Sequence, residues 1–241
     1  MKIYKYRDFS NPTEDSFRHL EASIHRHLIW CARPDTLNDP EEFVWKCIYT
    51  ATPETLNLLT EVLVRARRST PADARRIAEV ATRSGRLQDL VAPVINNMIK
   101  QCRDQVGLAC FGSAPDKEIL WQRYGGHGAG VCIEFQVPDD LLGKQLHRVQ
   151  YLSEKRLHFD QLMRAFVDNT YGQEVYDAVL LAKPLFWADE EEIRFVSQRH
   201  SISVAIDRAQ VTSVFLGNSL KTDVRERIRW ITAPVAVANR V

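Results

Sequence analysis

Residues Ile119–Phe135, ILWQRYGGHGAGVCIEF, hold four of the chain's ten glycines: Gly125, Gly126, Gly128 and Gly130. Glycine tolerates positive φ and lets another backbone or a ligand approach closely, so the spacing predicts a sharp bend. Before it, Leu120, Trp121 and Tyr124 have the spacing of an apolar helical face. After it, Val131, Ile133 and Phe135 alternate with Cys132 and Glu134, the period of a half-buried strand. His127 stands in the bend. It is either a surface residue on a helix-to-strand turn or a polar side chain carried on a ligand-hugging loop.

Working outward, Ile3–Arg7 alternates large and charged residues and predicts a first strand with Ile3, Lys5 and Arg7 on one face. Thr13 or Ser16 is placed to cap a helix whose stripe is Phe17, Leu20 and Ile24. Leu28–Ala32 predicts a second strand. Asn38, Asp39 and Pro40 predict a fixed turn, since the Asn and Asp side chains fold back on the backbone and proline denies helix to Asp39. Val106–Gly112 is almost wholly apolar and suits a central strand. Residues 154–182 are expected to be helical with a break at Gly172, followed by strands at 202–206 and 211–216, a short helix near 221–229 and an apolar tail.

Between about 53 and 103 the pattern is helical throughout, with Pro53 and Pro71 in first turns. Seven arginines lie from Arg65 to Arg86, against Asp73 and Glu79. They form either a solvated helical face or a surface that meets nucleic acid. The chain is thus expected to be a single α+β domain, residues 1–241, of mixed and mainly antiparallel sheets with an arginine-rich helical insertion.

With 45% hydrophobic and 26% charged residues the composition is that of a globular protein, and a net charge of +1 selects no oppositely charged partner. No apolar run is long enough for a membrane span, and no leader is evident, so a soluble, cytoplasmic protein with no membrane association is expected. Five scattered cysteines without a CxxC pair suit buried thiols better than a disulfide framework or zinc knuckle. The scattered histidines point to no metal.

The second chemically informative stretch is Asp189–Val196. A strand at Ile193–Val196 puts Glu190, Glu192 and Arg194 on one face beside Trp187 and turns Ile193 and Phe195 to the other. These acids are either solvated on an edge strand or held close enough to tune one another for acid–base chemistry.

KYR at 5–7, LNDP at 37–40, CFGS at 110–113, LWQRYGGHGAGVCIEF at 120–135, VQY at 149–151 and WADEEEIR at 187–194 together resemble a bacterial family known as domain of unknown function 2971. Members often carry a histidine before the tyrosine at 124, where this chain has Arg123. The outline is also similar, more distantly, to ADP-ribosyltransferases: an early basic strand, a helix, a second strand, and a late strand preceded by a glutamate pair. Leu28–Ala32 lacks the Ser-Thr-Ser often seen in their second strand. That resemblance implies an enzyme using NAD as substrate, with no metal, and modifying a macromolecule as a toxin or phage-defence effector. Glu192 would be the catalytic carboxylate and Glu190 its partner at the acceptor. Arg7 would hold phosphate, and Tyr124 and His127 would line the pocket, with Asn38, Asp39 and Arg194 beside the ligand. The alternatives are a non-catalytic module binding a nucleotide or nucleic acid, and a phosphodiester-cleaving enzyme using His127 and the acids.

Overall fold

The computed structural model describes all residues except Asn38, Pro40, Thr50, Ala51, Arg68, Asn169–Tyr171 and Val241. The chain is mixed α+β, with 48% helix, 26% strand and several small, mostly antiparallel sheets. Its packing divides it into two units. The first comprises residues 1–37, 105–150 and 186–241, and the second residues 38–104 and 151–185.

In the first unit, β1 (Lys2–Asp8) pairs antiparallel with β5 (Gly130–Gln136). That strand pairs on its other side with β12 (Gln210–Leu216), which β13 (Ala236–Asn239) joins in parallel. On one face of this sheet lie α1 (Glu14–Arg26) and α8 (Thr222–Ile231). They contribute Phe17, Leu20, Ile24, Val224 and Ile228 to a core with Ile3, Val131, Ile133 and Phe135. Thr13 caps α1 through its side chain, with Ser16 answering in a capping box. On the other face, α5 (Glu118–Tyr124) sets Leu120 and Trp121 against Tyr4, Tyr6 and Cys132. With both faces covered, β5 is buried along nearly its whole length. The alternation in its sequence suggested a half-buried strand, but Glu134 is only 4% exposed. Lys2, Tyr4 and Thr212 hydrogen-bond the Glu134 carboxylate and hold its pKa low against the effect of burial, which makes a charge tolerable there.

A second sheet has β10 (Ile193–Ser197) between β4 (Gly107–Phe111) and β6 (Leu146–Arg148). Beyond its ladder with β10, β4 also bridges β1 at Tyr4–Gly112 and β2 (Leu28–Cys31) at Ala32–Leu108. The apolar run at 106–112 is accordingly enclosed by other strands. The other neighbour of β2 is β11 (Ile202–Ala205).

The second unit contains α2 (Pro53–Arg67), α3 (Pro71–Arg83), α4 (Leu87–Gln105), α6 (Phe159–Val167) and α7 (Gly172–Leu181). The chain around 154–182 is less helical than its sequence suggests. Arg156–His158 forms β8, paired in parallel with β3 (Lys46–Ile48). No described helix is long and apolar enough to cross a membrane.

Candidate functional site

Strand alternation sends Tyr4 and Tyr6 to the α5 face of β1, where their hydroxyls bond Glu134 and the Ala114 carbonyl. Ile3, Lys5 and Arg7 take the opposite face, as their spacing predicts. Lys5 donates to the Cys110 carbonyl at 3.0 Å, and its ammonium lies 5.8 Å from the Phe111 ring centroid. Burial pushes its pKa down. Arg7 pushes the same way, while Cys110 and Glu192 oppose the shift. The Lys5 ammonium therefore sits in the fields of both Arg7 and Glu192.

Arg7 is the anomaly. Its Nε and Nη2 are buried and have no hydrogen-bond partner among the described residues. Burial brings its pKa down to about 10, so the guanidinium is still charged at neutral pH. A buried donor left unsatisfied costs about 1–3 kcal/mol, and such a group in a native structure calls for an explanation. His19 on α1, stacked on Trp30 at 4.5 Å between ring centroids, feels the same charge. Its pKa is lowered by burial and then by Arg7.

The acid cluster is buried where one of its two sequence readings had it solvated. β10 is an inner strand, with Ile193 and Phe195 in the core and Arg194 0% exposed. Arg194 grips Glu192 with both ends of its guanidinium, Nε to Oε1 at 2.7 Å and Nη2 to Oε2 at 3.3 Å. Glu190 lies in the 3-10 turn Leu185–Glu190 and is buried, its Oε1 accepting from Arg123 at 2.8 Å and from the Tyr124 hydroxyl at 2.9 Å. Between them Glu191 has a φ of 46°, in the left-handed region that non-glycine residues seldom adopt. Ser113 and Lys117 hold its carboxylate there, and those bonds keep its pKa low. Strain of this kind persists where the surroundings over-determine the backbone, and it gathers at functional sites. Each of three successive glutamates thus has its own cation: Arg123, Lys117 and Arg194.

The glycine bend follows α5 as predicted. A Cβ on Gly126 (φ +56°) would meet the Asp8 carboxylate, and one on Gly130 would meet the Arg7 carbonyl. Glycine is needed so that the bend can lie against the end of β1. The bend brings Tyr124 to Glu190 but gives His127 no such role. His127 is exposed, left-handed at φ 52°, and makes no hydrogen bond or ion pair among the described residues.

Of the other residues singled out from sequence, Asn38 lies outside the described residues. Asp39, in the second unit, behaves as the turn predicts: Oδ1 accepts from the Glu41 amide at 2.9 Å. Its Oδ2 is buried with no partner among the described residues. The same unit buries Glu42 and Lys183, 4.0 Å apart, and Lys155, which donates to the Glu41 and Glu42 carbonyls. Lys5 and His19 were missed. Lys5 shares the strand parity of Arg7, which was signal enough; His19 flanks the apolar stripe of α1 with no such cue. Arg123 entered the sequence reading only as a departure from the family pattern.

Among the described residues no three His, Cys, Asp or Glu side chains group as metal ligands. No family model, curated protein or solved structure matches this chain.

Proposed function

We propose that the first unit binds NAD and transfers its ADP-ribose to a macromolecule. The observation that carries this is Arg7, half-buried as a residue, whose Nε and Nη2 are buried with no hydrogen-bond partner among the described residues, beside Lys5, whose ammonium feels both Arg7 and Glu192. Two cations on one strand face suit a pyrophosphate, which supplies the acceptor oxygens that Arg7 Nε and Nη2 lack. Breaking the bond between nicotinamide and ribose leaves positive charge on the sugar. A carboxylate held by Arg194 offers a fixed negative charge against it. Nicotinamide departs with the bonding electrons, the acceptor nucleophile forms the new bond, and its proton passes to the carboxylate at the acceptor. Glu190, positioned by Arg123 and Tyr124, is the group suited to face that acceptor.

A second reading, a nucleotide-binding module without turnover, is favoured by one feature. Both Glu192 oxygens already bond Arg194. No contact of His127 favours phosphodiester cleavage.

Incubation with labelled NAD and cell lysate tests the proposal. Glu192→Gln keeps a hydrogen bond to Arg194 but loses the charge. It is expected to leave NAD affinity within severalfold and to lower turnover by roughly a hundredfold or more. NAD binding with no consumption by the wild type would establish the module instead. Equal turnover in wild type and Glu192→Gln would move the acid elsewhere.

A further inference from the structure

Phe186, in the turn that leads to β10, is 62% exposed. Its ring meets Trp187 at 5.0 Å between centroids, with 39° between planes. The Arg123 guanidinium lies 4.2 Å from the Trp187 ring centroid. Arg123 also bonds Glu190, so Phe186, Trp187, Arg123 and Glu190 form one connected ledge in the first unit.

We propose that this ledge binds a base of single-stranded nucleic acid, the base stacking on Phe186. A flat, solvent-facing ring backed by an indole and a guanidinium is what a nucleobase stacks on, and the contact is sequence-tolerant because every base has a π-face. Of the neighbouring acids, Glu190, Glu191 and Glu192 are each paired with a cation, while Asp189 is exposed and has no ion pair among the described residues. Arg148 is exposed, has no ion pair among the described residues, and is near enough to help lower the pKa of Glu191. It supplies a positive charge for the strand's phosphates. A duplex is excluded, because its bases are stacked on one another and cannot reach the ring. The ledge belongs to the first unit and the arginine-rich helices to the second, and strand binding at the ledge requires no NAD turnover.

The test is fluorescence anisotropy with a labelled twelve-nucleotide strand at low salt and without NAD. Parallel arms use DNA, RNA, duplex DNA and an abasic strand with the same phosphates. The wild type is expected to bind single strands, and the DNA and RNA arms report which is preferred. Phe186→Ala and Phe186→Leu are expected to weaken binding by about tenfold or more, and Phe186→Trp to retain it. Because Phe186 is exposed, these changes leave the core intact, and Phe186→Leu separates ring stacking from simple apolar contact. No binding of single strands, equal binding of duplex or abasic strand, or a Phe186→Leu affinity equal to wild type would each overturn the proposal. Strand binding is read without NAD and labelled-NAD turnover without strands, so loss of NAD chemistry and loss of strand binding are told apart.

Discussion

Arg194 and Arg76 each sit beside a carboxylate, yet their surroundings give the two pairs different physics. Arg194 is 0% exposed and holds Glu192 in two hydrogen bonds. Arg76, in the insertion, reaches Asp73 at 3.5 Å with its side chain 76% exposed. Its described neighbours repeat the pattern: Arg65 with Glu61, Arg75 and Arg83 with Glu79, Arg86 with Asp89, all one helical turn apart. Counting charges along the sequence draws attention to the insertion. Burial draws it to β10, where fewer charges carry larger energies.

The sharpest way to break this comparison is to remove Arg194. Deleting one partner of a buried ion pair strands the other charge and typically costs about 3–5 kcal/mol. Arg194→Met is expected to lower stability by that amount, read from urea unfolding. The double change Glu192→Leu with Arg194→Met is expected to recover much of it. A single-variant loss under about 1 kcal/mol would place the pair with the surface pairs of the insertion.

Arg7 sharpens the contrast because its expected sign is opposite. Its Nε and Nη2 are buried and have no partner among the described residues, so its charge is a cost to the protein without an anion. Arg7→Met is expected to raise stability by about 1–3 kcal/mol and to abolish the thermal protection given by NAD or pyrophosphate. The pH dependence follows from its lowered pKa. The guanidinium is charged below about 10, so anion binding on its account is flat through neutrality and fades as pH rises past that value. A destabilised Arg7→Met, or one still protected by pyrophosphate, would show that Arg7 is structural.

Much of the first unit is legible in its sequence because its signals are local. The capping Thr13, the alternation of β1, the glycine bend and the parity of Ile193 with Phe195 each depend on neighbours in the chain. The partners of the acids are not local. Glu190 meets Arg123 and Tyr124 across 67 and 66 positions, and Glu191 meets Ser113 across 78. That β10 is an inner strand depends on β4 and β6 flanking it, and nothing between Asp189 and Val196 encodes those neighbours. The second unit misleads for a related reason. Leu157 was read as part of a helix, but Arg156–His158 pairs with Lys46–Ile48, far away in sequence.

The smallest expected effects belong to the insertion, and they test whether its charges act on anything outside themselves. An exposed i,i+3 or i,i+4 pair is worth about 0.2–1 kcal/mol and is screened by salt. Replacing Arg75 and Arg76 with glutamine is therefore expected to change stability by no more than about 1 kcal/mol. The same double variant probes nucleic acid. Each arginine that neutralises a phosphate releases counterions and steepens the fall of affinity with salt by about 0.7–0.9 in the logarithmic slope. Because Arg75 and Arg76 already face Glu79 and Asp73, the slope is expected to stay as in the wild type. A slope flatter by about 1.5 would mean that both arginines leave their acids for phosphates. The insertion would then be a binding surface in its own right, and exposure, which makes these pairs weak, would be what frees them for a partner.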